Sequence, residues 1–144
     1  MNELPQPRKV VIVPCSGMGK SFGSVSREAA YDITEELRPE TTRLAALSKL
    51  VLGDEETRAE VQQSPAITID GCKLACAAKM VKESGGSVSQ EIAVLDVYRR
   101  HKDLRPDGIA ELNEPGLRLA RALAEEVAAM VDDLVAGEQG DHNG

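Results

Sequence analysis

The sequence predicts a single three-layer α/β/α domain built on a mostly parallel sheet of about four strands. Two observations carry this. Short apolar runs without alternation, Val10-Val11-Ile12-Val13 and Ala66-Ile67-Thr68-Ile69, read as strands buried on both faces. Segments of helical periodicity lie between and after them, so strand and helix alternate, the pattern of right-handed crossovers on a parallel sheet.

Taken in order, residues 1–8 are polar and contain Pro5 and Pro7, which predicts an extended N-terminus. The first strand is expected over 9–14. Residues 15–23 are a loop of small residues rich in glycine. A helix over 24–37 follows, with Val25, Ala29, Ile33 and Leu37 on one side, Ser24 as N-cap and Pro39 beyond its end. The second strand is expected within 41–47, although Leu44-Ala45-Ala46-Leu47 suits a helix equally. Gly53 closes that segment, and Asp54 caps a short helix over 55–63 that Pro65 prevents from continuing. The third strand spans 66–69. A helix over 72–84 stops at Gly85-Gly86. The fourth strand is expected within 87–97, centred on Ile92-Ala93-Val94-Leu95. Residues 98–111 are charged and broken by Pro106 and Gly108, which predicts a loop. Asn113-Glu114-Pro115 opens a last helix whose apolar face, including Leu119, Leu123, Val127 and Leu134, runs to Gly137. The expected domain is 9–137, with flexible tails at 1–8 and 138–144.

Composition excludes some functions. The 144 residues carry a net charge of −7, and one Phe and two Tyr leave few stacking platforms. No nucleic-acid partner is expected from such a surface. No apolar run is long enough to span a membrane, and the first nine residues lack the apolar core of a signal peptide. A cytoplasmic protein with no membrane partner is therefore expected. The chain has three cysteines. In a reducing compartment an odd count points to free thiols, metal ligation or redox chemistry over structural disulfides.

The three thiols fall at informative places. In an open, Rossmann-like sheet, ligands bind beyond the carboxyl ends of the strands, where the winding reverses. A strand order of 2-1-3-4 sets the ends of the first and third strands side by side there. Cys15 follows the first strand and Cys72 the third. Cys72 and Cys76 share one face if both lie on a helix, and the amides of a helix start favour anionic sulfur. Thiolate sites for zinc use four ligands, and no fourth cysteine exists. Of the two histidines, His142 falls in the expected tail and His101, in the expected loop, is a candidate fourth ligand; Asp70 is a candidate fourth ligand or a supporting group, and a backbone group or water could also close the site. Gly71 is expected to permit the turn. The competing reading is that the cysteines are small buried residues.

The glycine loop carries part of a phosphate-binding pattern. Gly19-Lys20-Ser21 matches the tail of a P-loop, but Pro14 stands where its first glycine belongs and supplies no amide donor. Nucleotide hydrolysis is not expected. A small-anion or small-ligand cradle over Ser16, Gly17, Gly19 and Lys20 is. A Cys-x5-Arg phosphatase loop is also missing, because Ser21 stands at the arginine position. A metal-free thiol redox or transfer enzyme using Cys15 with Cys72 and Cys76 stays open.

Val13-Pro14-Cys15-Ser16-Gly17, the helix segment Arg27-Glu28-Ala29-Ala30, and Ile67-Thr68-Ile69-Asp70-Gly71-Cys72 with Cys76 together resemble the DGC-domain family, over most of residues 9–131. The resemblance implies zinc binding through cysteines, with no established reaction. By position the matching ligands are Cys15, Cys72 and Cys76. The family's remaining cysteine falls in the second-strand region, where this chain reads Thr42-Arg43-Leu44-Ala45. The resulting expectation is a three-cysteine site for one zinc ion, or another soft metal, at the carboxyl edge of the sheet. A small anionic or thiol ligand would take the open position.

Overall fold

Helices cover both faces of a four-stranded parallel sheet, which is why every residue of its two central strands is buried. The computed structural model describes residues 9–15, 21–71, 75–108 and 111–141, with side chains through residue 137. The strands are β1 (Val10–Pro14), β2 (Thr42–Leu44), β3 (Ala66–Asp70) and β4 (Val88–Ala93), in the order β2-β1-β3-β4. Every pairing is parallel, with Ile12 opposite both Leu44 and Ile67. The three-layer architecture and the expected strand order are both present.

Alternation along the strands divides the core. Val10, Ile12, Ile67 and Ile69 face α1 (Ser21–Tyr31), α5 (Val94–Arg100) and α6 (Glu114–Asp141). Val11, Val13, Cys15 and Ala66 face α2 (Leu47–Val51), α3 (Glu55–Gln63) and α4 (Cys76–Glu83). Among the described residues most buried side chains are aliphatic, so the layers close mainly on Val, Ile, Leu and Ala.

Several boundaries differ from those expected. The first helix begins at Ser21, so Ser24 is a buried residue inside it and not its N-cap. Its last part is a π-helical segment, Asp32–Leu37, closed by the Arg38 N–H donating to the Ile33 carbonyl at 2.8 Å. Arg38 then forks onto Asp132 of α6 through two bonds of 2.7 Å. The second strand is only Thr42–Leu44, and Leu47 turns inward as the start of α2.

The fourth strand lies within the expected 87–97 but starts four residues before the run expected to form it, at Val88, and ends at Ala93. β4 is an edge strand that needs no continuous apolar run, so Ser89, Gln90 and Glu91 can occupy it exposed to solvent. Of the apolar run that suggested a strand, Ile92 and Ala93 end β4, while Val94 begins α5, where it and Val97 are buried. The expected loop after residue 98 is therefore helical at its start. α6 runs past Gly137 to Asp141, with Leu119, Leu123, Val127 and Val131 fully buried. Asn113 starts it, its Oδ1 accepting the Gly116 N–H at 2.9 Å. Among the described residues, no helix is long and apolar enough to cross a membrane.

The short helix over 55–63 has the expected bounds and cap. Asp54 Oδ2 accepts the Thr57 N–H at 3.0 Å and the Thr57 hydroxyl at 2.6 Å. These bonds hold its carboxyl below the usual range. A depressed folded-state pKa contributes stability above the unfolded value and loses it as pH falls through the folded one. Asp54→Ala is therefore expected to lower the melting temperature near neutral pH. In melts followed by circular dichroism, its deficit against wild type should shrink below about pH 4. A deficit independent of pH would show that the charged cap is not the cause.

Candidate functional site

The chain winds to one side of β1 through β2 and to the other through β3 and β4, so the carboxyl ends of β1 and β3 meet at the reversal. Cys15 is the first residue after β1. Its N–H donates to the Ile69 carbonyl at 2.9 Å, which continues the ladder one step and fixes its backbone beside β3. Its side chain points to the α4 side of the sheet and is 3 % exposed.

Two hydrogen bonds define the surroundings of the sulfur. The Gly71 N–H donates to Cys15 Sγ at 3.1 Å. Ser26 Oγ lies 3.4 Å from Sγ and 2.6 Å from the Gly23 carbonyl. A hydroxyl has one proton, and the shorter contact claims it for Gly23. Ser26 therefore accepts from the Cys15 thiol, while Gly71 donates to the same sulfur. The pair of bonds links β1, α1 and the turn after β3 through one atom.

Gly71 has a different reason for being glycine than the expected tight turn. A Cβ built there would stand 2.7 Å from the Phe22 carbonyl carbon and oxygen and from the Gly23 nitrogen. The opening turn of α1 presses on this residue, and only a missing side chain permits the contact. The backbone of Gly71 is not left-handed; the positive φ near the site belongs to Ala75, at 51°.

Asp70 ends β3 and is 5 % exposed. Its Oδ1 accepts the Ala77 N–H at 2.9 Å, seven residues on. Ala75 precedes α4 and has no side chain able to cap it, so the strand-end carboxylate satisfies the amides of that helix. Burial pushes the Asp70 carboxyl up; bonds from the Ala77 and Ala78 amides oppose this, and the Glu91 charge adds to the rise. Through this cap, Asp70 sets where Cys76 stands.

Cys76 is the first residue of α4 and is exposed. The helix expected from residue 72 thus begins four residues later, and the argument that Cys72 and Cys76 share a helix face does not hold. Cys72 lies outside the described residues, as do Ser16, Gly17, Gly19 and Lys20. Of the residues singled out in the sequence, the structure brings together Cys15 and Gly71, with Asp70 beside them and Cys76 held through α4. Among the described residues, no group of three His, Cys, Asp or Glu side chains is arranged to hold a metal ion.

Some residues at the site carry no sequence signal of their own. Ser26 reads only as one position of an amphipathic helix, though a fully buried serine beside Gly23 is unusual there. Arg27 and Tyr31 read as helix surface. Together with Pro14, Cys15, Leu44, Leu47 and others, they line a cleft of about 210 Å³ over the ends of β1 and β2. A second cavity of about 440 Å³ lies between Ser21, Phe22, Tyr98, Arg105 and Pro106. Phe22 and Tyr98 form a tilted ring pair there, 5.6 Å between centroids.

The close approach at Gly71 makes a direct prediction. Gly71→Ala must push the α1 backbone away, which should cost about 1–3 kcal/mol in chemical denaturation. It should also lengthen the bond to Cys15 and speed alkylation of that thiol, read by mass spectrometry. Unchanged stability and unchanged alkylation would remove Gly71 from the site's framework.

A family model described as the DGC domain matches residues 11–115, which includes β1, β3, the Asp70-Gly71 turn and all three cysteines. No curated protein and no solved structure matches the chain. The matched span covers most of the sequence and every element that positions the candidate site, so the chain belongs to the DGC-domain family.

Proposed function

We propose that this protein binds one zinc ion, or another soft metal, through Cys15, Cys72 and Cys76 at the carboxyl edge of the sheet. The observation that carries this reading is the Gly71 N–H bond to Cys15 Sγ at 3.1 Å. It ties the first cysteine to the residue that precedes the second in the chain. The donor set suits a soft cation, because sulfur ligands with amide donors nearby favour the thiolate that binds it. Bound zinc with an open position would act as a Lewis acid and would lower the pKa of a bound water.

The chain's own residues have separable tasks in this reading. Cys15 gives a ligand fixed by the β1–β3 ladder. Gly71 donates to its sulfur and excludes a side chain from the junction. Asp70 holds α4, and hence Cys76, through the Ala77 amide. With its carboxylate engaged by the Ala77 and Ala78 amides, its role is to support the site. Reduced thiols of this kind suit a cytoplasmic setting.

The rival reading is a metal-free thiol relay led by Cys15. The 3 % exposure of Cys15 favours a ligand over a nucleophile that must meet an external substrate. Elemental analysis of the purified full chain should find about one metal ion per chain, and Cys72→Ser should lose most of it. Absence of metal after purification, together with failed reconstitution, would overturn the proposal. Metal should also protect the three cysteines from alkylation together, whereas a relay leaves one of them preferentially reactive near neutral pH.

A further inference from the structure

We propose that the cavity between α1, α5 and the segment Arg105-Pro106 binds a small aromatic acid, with its ring against Phe22 and Tyr98 and its carboxylate on Arg105. This goes beyond the metal reading and does not depend on it, since among the described residues no proposed metal ligand lines this cavity.

Separate parts of the chain build the lining. Ser21 and Phe22 belong to α1 and Tyr98 to α5, while Arg105 and Pro106 lie between α5 and α6. The volume of about 440 Å³ falls within the roughly 300–1,000 Å³ of sites that hold small organic ligands. The chain has one Phe and two Tyr, and the Phe and one Tyr meet here, with ring centroids 5.6 Å apart and planes at 51°. Both rings are partly buried, packed on a core that is aliphatic. Such a pair offers a third ring the offset or tilted contacts that aromatic groups prefer.

Arg105 supplies the charge. Among the described residues it is the only charged side chain lining the cavity, and its guanidinium has no ion-pair or hydrogen-bond partner. That is uncommon in a chain with 24 acidic and 17 basic residues, where Arg38, Arg43, Arg100, Arg118 and Arg121 all meet carboxylates. Its backbone is held in place. The Arg105 carbonyl accepts from Asn113 Nδ2 at 3.2 Å, the Asn113 N–H donates to the Asp107 carbonyl at 2.9 Å, and Asn113 Oδ1 accepts the Asp107 N–H at 3.0 Å. These bonds tie the segment to the start of α6, and Pro106 within it is buried. A guanidinium on a fixed backbone is pre-organised for a carboxylate, which it meets with two parallel bonds. Ser21 adds a hydroxyl donor to the same cavity. One positive charge suits a monoanion, and the net charge of −7 opposes a second negative charge on the ligand.

The test uses the full chain and the probes sodium phenylacetate, phenylacetamide and sodium cyclohexaneacetate, followed by ligand-observed NMR titration. Phenylacetate should bind. Phenylacetamide, which lacks the charge, should bind about tenfold more weakly or beyond, and cyclohexaneacetate, which lacks the aromatic ring, about threefold more weakly or beyond. Arg105→Gln should weaken phenylacetate by about tenfold or more, and Arg105→Lys by less. Tyr98→Leu should erase the preference for phenylacetate over cyclohexaneacetate. Tyr98 packs on the core, so if that variant fails to fold, the Arg105 variants, at an exposed residue, decide the matter. Arg118→Gln, an exposed arginine of α6 outside the cavity, should leave binding unchanged. The proposal is overturned if phenylacetate does not bind, if either other probe binds as well, or if Arg105→Gln has no more effect than Arg118→Gln.

Discussion

The contact of Gly71 with the opening turn of α1 is the constraint on which the candidate site depends. The turn after β3 can approach α1 this closely because residue 71 has no side chain. That approach brings its N–H onto the Cys15 sulfur. The same sulfur meets Ser26, so β1, α1 and the turn after β3 are joined at one atom. One residue earlier, Asp70 reaches forward to the amides of α4. Neighbouring residues thus serve opposite faces of the sheet, Gly71 toward α1 and Asp70 toward α4.

The rest of the fold makes this junction possible by keeping polar demands out of the core. β1 is apolar on both faces, and β3 adds only Thr68, whose buried hydroxyl has no partner among the described residues, and Asp70; the helices cover both strands with largely aliphatic side chains. Polar groups that are buried near the carboxyl edge find local partners, as Ser26 does with Gly23 and Asp70 with Ala77. Aromatic rings are held for the rim. The two cavities there flank the reversal point, each with one arginine and at least one ring. The edge of the sheet is thereby a surface of mixed chemistry above an interior of nearly uniform chemistry.

Much of the architecture was legible because burial on both faces leaves a plain mark. The runs at 10–13 and 66–69 have no polar alternation, and the 2-1-3-4 order that puts their ends together is the one observed. The cap at Asp54 was legible because it is local, a side chain bonding three residues on. β4 was misplaced because an edge strand tolerates Ser89, Gln90 and Glu91, so the adjacent apolar run drew the assignment into what is α5. The start of α4 was misplaced for a related reason. Its cap comes from Asp70 across a turn, and no rule of adjacent spacing reports a bond over seven residues.

The sequence by itself determined the alternation of strand and helix, the aliphatic core, and the arrival of Cys15 and the Asp70-Gly71 turn at two neighbouring strand ends. Those features follow from periodicity, which is a property of the chain taken locally. Only the tertiary structure decided why residue 71 is glycine, that Asp70 caps α4, and that Ser26, Arg27 and Tyr31 belong to the site. Each of these depends on two segments meeting in space: α1 against the turn after β3, β3 against α4, and α1 against the end of β2. Close approach between distant segments sets distances of a few ångströms, and local patterning carries no record of them.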